Sequence, residues 1–137
     1  MRVGDRLTGE ITTGLLVFVG IGVDDDSTDA EWLAEKLCGL RIFRDDAGLM
    51  NRSVSEAGGS ILLVSQFTLH GDARTGRRPS FVRAAKEPQA RPLFERVGAA
   101  VKARGFNVAF GEFGGDMDVE LVNQGPVTLL LDSKRTF

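Results

Sequence analysis

Residues 15–23 have the sequence LLVFVGIGV, a continuous apolar run rich in β-branched side chains. A run without polar residues at alternate positions predicts a strand that is buried on both faces and lies in the core. A second long run, SILLVSQFTL over residues 60–69, predicts another such strand. Shorter strands are predicted at residues 40–43, 108–110, 119–122 and 127–131.

A helix is predicted directly after the first strand. Thr28 and Glu31 have the spacing of a capping box, and Gly39 supplies the stop. Between them the apolar positions recur at helical spacing and form one stripe, namely Ala30, Leu33, Ala34, Leu37 and Cys38. This stripe predicts packing against the core, with Cys38 as an ordinary packing residue.

A second helix is predicted with Pro92 in its first turn and Gly105 at its end. Its buried stripe consists of Leu93, Phe94, Val97, Ala100 and Val101. More strands than helices are predicted. Some predicted strands are spaced like hairpins, and two connections between strands contain a helix. The predicted fold class is therefore α+β, with packed or barrel-like β-sheets and the two main helices covering one side.

The composition limits the possible functions. The chain has 137 residues, a formal net charge of −2 and no apolar window long enough to span a membrane, so we expect a single domain over residues 1–137. One cysteine and no secretory h-region indicate the cytoplasm. A zinc site of the Cys/His kind needs three or four such ligands, and the chain has one histidine, His70, and one cysteine. No dinucleotide fingerprint is present, and we expect no metal and no other cofactor.

The second long strand ends in the segment Ser65, Gln66, Phe67 and Thr68. Strand alternation would place Ser65, Phe67 and Leu69 on one face and Gln66 and Thr68 on the other. A polar, basic loop broken by glycine and proline follows over residues 70–88. The alternative interpretation is that the hydroxyl side chains only cap the sheet, so a functional role for this segment needs the support of a second motif.

The second motif is NQGPVT, residues 123–128, which lies between two predicted strands. Asn, Gly and Pro favour an ordinary turn. A Gly-Pro bond in the cis form can also aim two neighbouring carbonyls the same way and form a rigid acceptor pair. Such a pair would recognise the shape and the ammonium group of a small ligand.

Taken together, these segments resemble the D-aminoacyl-tRNA deacylases, the D-tyrosyl-tRNA(Tyr) deacylase family. The resemblance also includes LLVFVGIGVDDD, AEWLAEKLCGLRIF, GLMNRSV, TGRRPSF and FGGDMDVELVN, in the family's order. It covers nearly the whole chain. SQFTL followed by NxGPVT is highly specific as a pair.

The resemblance implies hydrolysis of the ester between a D-amino acid, or glycine, and the 3′-terminal adenosine of tRNA. It implies a homodimer in which a Gly-cisPro pair, here Gly125 and Pro126 beside Asn123, enters the other subunit's pocket and excludes L side chains. Ser65, Gln66, Phe67 and Thr68 would line that pocket. The chemistry would be substrate-assisted, with the ribose 2′-OH activating water and backbone amides stabilising the oxyanion.

Arg74, Arg77 and Arg78 form the one compact basic cluster of the sequence. They are candidates for contacts with phosphates of the tRNA acceptor stem, and the alternative is a solvated loop with ordinary salt bridges.

Family members usually begin with a further strand that contains a QRV-like segment, and about a dozen residues of that kind are expected to be missing here. This departure motivates an alternative function, a non-catalytic dimer that binds tRNA ends. A second alternative is a metal-dependent phosphoesterase that uses Asp116 and Asp118, although two carboxylates facing solvent are the more ordinary interpretation.

Overall fold

The computed structural model describes residues 1–124 and 127–137, and this part of the chain contains two α-helices and seven short strands. In chain order they are β1 (Arg2–Val3), β2 (Arg6–Leu7), β3 (Gly14–Val19), α1 (Ser27–Gly39), β4 (Phe43–Arg44), β5 (Met50–Arg52), β6 (Ser60–Ser65), α2 (Glu87–Ala103) and β7 (Val108–Phe110). A 3₁₀ turn, Phe67–His70, follows β6. The prediction of a mixed α and β fold with two helices is confirmed.

The central sheet has the order β3-β6-β7, and all of its strands are parallel. Leu16 pairs with Leu62, and Leu62 pairs with Ala109 in turn. Parallel neighbours need long crossovers, and α1 and α2 lie in the two crossovers of this sheet. The pairs β1-β2 and β4-β5 form two small antiparallel sheets. Within the described residues the three sheets remain separate and do not close into a barrel.

Both helices lie against one face of the central sheet. Ile61 and Leu63 of β6 are fully buried there, together with Ala34 of α1 and Val97 of α2. The opposite face has a smaller core, in which Leu62 and Val64 pack with Met1. Because alternate residues of β6 enter the two cores, the strand is apolar at every position from 61 to 64, as expected for a strand buried on both faces.

The first helix begins two residues earlier than predicted. Its N-cap is Asp26, whose carboxylate accepts a hydrogen bond from the Thr28 amide at 2.9 Å, and the Asp29 carboxylate accepts one from the Asp26 amide at 2.9 Å. The Asp25 carboxylate accepts from the Gly22 amide at 2.7 Å and ties down the chain just before the cap. The capping box is therefore Asp26 and Asp29, not Thr28 and Glu31.

The second helix also begins earlier than predicted. It starts at Glu87, with Pro88 in its first turn, so that Pro92 lies inside the helix and not in the first turn. A proline there has no amide to donate to the carbonyl four residues before it, and its ring crowds that carbonyl. Pro92 is exposed, so this cost falls on the outer face of the helix.

Replacing Pro92 with alanine is expected to raise the free energy of unfolding by about 1–3 kcal/mol, because it restores one helical hydrogen bond and removes the crowding. Urea unfolding followed by circular dichroism measures the change. Pro88→Ala is the matched control, since a proline in the first turn costs little, and it should have almost no effect. A Pro92→Ala protein no more stable than the parent would contradict the prediction.

Several predicted strands differ from those observed. The first ends at Val19 and not at residue 23, and the segment at 40–43 pairs only from Phe43. Residues 119–122 and 127–131 form no strand in the described part of the chain. A strand needs a neighbour for its backbone hydrogen bonds, and no described strand pairs with these segments. Four of their apolar side chains stay exposed, namely Leu121, Val122, Leu129 and Leu130.

Neither of the two helices in the described residues is both long and apolar enough to cross a membrane.

Candidate active site

The segment Ser65–Thr68 lies at the carboxyl end of the central strand of the parallel sheet. Ser65 pairs with Val19, the last residue of β3, and the Gln66 amide donates to the Val19 carbonyl at 2.8 Å. From Phe67 the chain turns as a 3₁₀ helix, which the Gly71 amide closes on the Thr68 carbonyl at 2.9 Å. Ligands of open parallel sheets bind outside the carboxyl ends of the strands, where this segment lies.

The predicted alternation of side chains in this segment is wrong. Strand geometry ends at Ser65, so Phe67 and Leu69 do not continue one strand face. Both lie in the turn and are more than half exposed. The turn replaces the strand because β3 has already ended, and the ladder has no further backbone groups to pair with.

Thr68 is held by Gln66. The Gln66 Nε2 donates a hydrogen bond to the Thr68 Oγ1 at 2.5 Å. An amide N–H is a donor here and takes no proton from the hydroxyl, so this contact does not activate Thr68 as a nucleophile. The hydrogen bond from Gln66 holds the Thr68 hydroxyl in position and does not make it a stronger nucleophile.

His70 packs against the loop after β3. A Cβ placed on Gly22 would lie 3.1 Å from the His70 Cε1, and one placed on Gly20 would lie 3.2 Å from its Cδ2. The two glycines therefore let the ring approach the backbone closely.

The pKa of the Asp132 carboxyl lies below its ordinary value, first because the Thr136 hydroxyl donates to it and, to a smaller degree, because of the charge of His70.

An aromatic pair joins the site to the basic loop. The rings of Phe67 and Phe81 meet edge to face, with centroids 5.3 Å apart at 70°. Phe81 also lies against Gly71, where an added Cβ would come within 2.9 Å of its ring. Sequence reasoning did not single out Phe81, and the available signal was an aromatic residue within a basic, glycine-containing loop.

Asp72 and Arg74 form an ion pair in the basic loop. The Arg74 Nη2 lies 2.6 Å from the Asp72 Oδ2, and the Arg74 Nε lies 2.9 Å from its Oδ1. These hydrogen bonds from Arg74 lower the pKa of Asp72 to about 2. Arg77 and Arg78 are exposed and have no ion-pair partner among the described residues.

The second motif is described only at its two ends. The Asn123 Nδ2 donates to the Thr128 Oγ1 at 2.9 Å and joins the ends of the segment. Gly125 and Pro126, which carry the predicted acceptor pair, lie outside the described residues. Asn123 itself is exposed.

A large open cleft separates the C-terminal segment from the outer side of β3. Its volume is about 1910 Å³, above the usual range for a closed small-molecule pocket. Asn123 and Thr128 line it together with His70, Asp72 and Arg74. In the described part of the chain Ser65, Gln66, Phe67 and Thr68 are not among its lining residues.

The C-terminal tail is fastened to the start of α1. The Lys134 Nζ donates to the Asp29 Oδ2 at 3.0 Å and to the Asp24 carbonyl at 3.2 Å. Although burial raises it, the pKa of Asp29 lies below its ordinary value, because the Asp26 amide and Lys134 donate hydrogen bonds to the carboxylate.

Asp116 and Asp118, the carboxylates of the phosphoesterase alternative, do not form a metal centre in the structure. Across residues 1–124 and 127–137, no group of three or more His, Cys, Asp or Glu side chains could hold a metal ion. The backbone of Asp118 pairs with Arg2 through hydrogen bonds of 2.8 Å in both directions.

Comparison with known protein families shows which family this chain belongs to. The family model described as D-Tyr-tRNA(Tyr) deacylase matches residues 1–132. The chain belongs to the D-Tyr-tRNA(Tyr) deacylase family. A D-aminoacyl-tRNA deacylase of Symbiobacterium thermophilum is 53% identical over 137 residues, which cover 100% of this chain and 91% of that relative. One of Thermotoga petrophila is 51% identical over 135 residues, covering 98% and 91% of the two chains.

Two solved structures share the fold of this chain. A structure titled c-Myc DNA unwinding element binding protein superposes with a TM-score of 0.88 at 31% identity, covering 96% of this chain and 89% of that one. A probable eukaryotic D-amino acid tRNA deacylase superposes with a TM-score of 0.68 at 20% identity, covering 82% and 81%. The second likeness, at its low identity, concerns the fold alone.

Proposed function

We propose that this protein hydrolyses the ester between a D-amino acid and the 3′-terminal adenosine of tRNA, releasing the free D-amino acid and tRNA. The observation that carries the proposal is the identity of about half of all residues, over the full chain, with relatives named D-aminoacyl-tRNA deacylase. The position of Ser65–Thr68 at the carboxyl edge of the sheet supports it. Aminoacyl-tRNA as the substrate favours action in the cytoplasm.

The chemistry that fits this site is substrate-assisted. Thr68 accepts a hydrogen bond from Gln66, and this contact supplies no base. In this proposal the ribose 2′-OH of the terminal adenosine helps to activate water, and backbone amides of the SQFT segment stabilise the oxyanion. Since the Gln66 amide already donates to Val19, we assign this task to the amides that follow it in the turn.

Replacing Thr68 with alanine is therefore expected to leave substantial deacylation, with kcat lowered by about tenfold at most, since the variant loses a positioning contact and not a nucleophile. Single-turnover hydrolysis of D-aminoacyl-tRNA measures the effect. A loss of several orders of magnitude in kcat would assign Thr68 a covalent or proton-transfer role instead.

We propose further that chirality is selected across a homodimer. Gly125 and Pro126 of one subunit, a Gly-cisPro pair next to Asn123, would enter the pocket formed by Ser65–Thr68 of the other subunit. The pair would exclude L side chains by steric rejection, whereas glycine, which has no side chain, would be accepted and hydrolysed. Asn123, at the start of this segment, is exposed and so accessible to a second subunit.

The exposed apolar C-terminal residues also support the dimer. Leu121, Val122, Leu129 and Leu130 are each more than half exposed, and exposed apolar surface is typical of protein interfaces. A second subunit would cover them and offer backbone partners to segments that lack them in one chain. The packed, barrel-like sheet arrangement predicted from the sequence belongs to this proposal as well.

The paired D and L deacylation assay tests the proposed function. Purified protein is incubated with a D-aminoacyl-tRNA and with its L counterpart, and release of the amino acid is measured. We expect cleavage of the D ester alone. No cleavage at high protein concentration would favour the alternative of a non-catalytic dimer that binds tRNA ends. Full activity in the presence of a chelator would discard the alternative of a metal-dependent phosphoesterase.

We propose, finally, that the basic loop meets the tRNA. Arg74, Arg77 and Arg78 lie on the segment that follows the site directly, where acceptor-stem phosphates would approach.

A further inference from the structure

The basic loop is a closed structure and not a loose connection. The Asp72 amide donates to the Ser80 carbonyl at 2.7 Å, and the Ser80 amide donates to the Asp72 carbonyl at 2.8 Å. This pair of hydrogen bonds joins the two ends of residues 72–80. Gly76 has a φ of 69°, a conformation that glycine adopts without strain and that reverses the chain at the tip. The base of the loop therefore fixes the direction of its tip.

Arg74 forms an ion pair with a carboxylate of its own loop. Its guanidinium makes a two-point contact with the Asp72 carboxylate, and its amide donates to the same carboxylate at 3.0 Å. With a pKa of about 2, Asp72 is ionised at neutral pH and balances the charge of Arg74. The planar fork of arginine suits this geometry better than the single ammonium of lysine.

Arg77 and Arg78 place two positive charges at the tip of the loop, and no carboxylate of the described residues balances them. Both side chains are exposed, and within the described residues neither forms an ion pair. Two adjacent guanidinium groups on a closed loop form a small binding surface for an anionic chain.

The loop is also held against the proposed site. Phe81, the residue after the closing pair, packs edge to face on Phe67 at 5.3 Å and covers Gly71. A contact made by the loop tip therefore has a set position relative to the SQFT segment. An RNA strand held at the tip would enter the site in a defined register.

We infer that Arg77 and Arg78 bind phosphates of the RNA strand that carries the ester, and that Asp72 and Arg74 are positioning residues that close the loop. The inference rests on the proposed function for the identity of the RNA. It separates three arginines that look equivalent in the sequence into two phosphate-binding residues and one internal partner of a carboxylate.

Binding of uncharged tRNA to the full-length protein tests the inference, with fluorescence anisotropy recorded at several salt concentrations. The variant Arg77→Gln/Arg78→Gln should lower the slope of log K against log salt by about two, one for each lost phosphate contact. Arg74→Gln should weaken binding by a similar factor at each salt concentration and leave the slope unchanged. Arg74→Lys keeps the charge and an ion pair and should restore most of the affinity.

The control variant is Arg91→Gln/Arg96→Gln, which removes the same charge from two arginines of α2 that are already paired with glutamates. It should change the slope much less than the loop variant. An unchanged slope in Arg77→Gln/Arg78→Gln would overturn the assignment of phosphate binding. A slope lowered by one in Arg74→Gln would overturn the positioning role of Arg74.

The outcome is separable from the proposed function because uncharged tRNA contains no ester. Failure to cleave D-aminoacyl-tRNA, with the predicted slopes intact, would reject the hydrolase and keep the RNA-binding loop. Cleavage of the D ester with slopes that no loop variant alters would keep the hydrolase and reject the loop assignment.

Discussion

Replacing both Gly125 and Pro126 with alanine is expected to make L-aminoacyl-tRNA a substrate, with a fall of about a hundredfold or more in the D-to-L ratio of kcat/KM. The reason is that discrimination in the proposed site comes from a steric barrier and not from an attractive pocket for the D side chain. Proline fixes the backbone direction through its ring, and alanine does not. A hundredfold change corresponds to about 3 kcal/mol of lost rejection in the transition state.

The measurement is single-turnover hydrolysis of matched D and L esters on the same tRNA. Pro92→Ala is the control, since it removes a proline from the exposed face of α2 and should leave the ratio unchanged. Should the double variant still reject the L ester as the parent does, the selecting role of residues 125 and 126 would be wrong. The ends of the segment, joined by Asn123 and Thr128, are left intact by the substitution.

The largest expected effect on stability follows from replacing Gly14 with alanine. Gly14 begins β3 at a φ of 151°, and a Cβ there would lie 1.8 Å from the Ser60 carbonyl oxygen and 2.7 Å from the Ser60 amide nitrogen. Both contacts are with backbone, so no side chain can move aside. Relief requires the start of β3 to separate from β6. We expect a loss of about 3 kcal/mol in the free energy of unfolding.

Urea unfolding of Gly14→Ala against the parent protein measures this loss. Gly39→Ala is the matched control, because Gly39 ends α1 and a Cβ there meets nothing within 4 Å. The control should be neutral or slightly stabilising. A Gly14→Ala protein within about 0.5 kcal/mol of the parent would show that the two strands separate at little cost.

The start of α1 shows why helices are easier to predict than their first residues. The apolar stripe correctly identified the helix, and Ala30, Ala34 and Leu37 are its buried residues. Two overlapping capping boxes fit the sequence, however, and they differ by two residues. The contact between Asp25 and the Gly22 amide is made outside the helix, and it favours the one that begins at Asp26.

The site segment shows a different limit. The apolar pattern of residues 60–69 continues past Ser65, so the pattern alone predicts a longer strand. The strand ends where β3, its neighbour, ends at Val19. No property of residues 66–69 themselves encodes this boundary.

The charged loop shows the same limit for function. The sequence contains three arginines within five residues, and their spacing does not distinguish one from another. The pairing of Arg74 with Asp72 and the closure of the loop through Ser80 separate them. The acidic partner precedes the cluster by two residues and could have been noticed, whereas the closure could not.

The sequence by itself determined the two central strands, the two helices and the family, because hydrophobic periodicity and motif order are properties of neighbouring residues along the chain. Only the tertiary structure decided that β6 gives way to a turn, that Phe81 packs on Phe67 and that residues 119–122 are left without a strand partner in the described chain. These features depend on where another part of the chain ends or which surface it presents. Hydrogen-bond partners and aromatic contacts are supplied across the fold, and no local pattern specifies them.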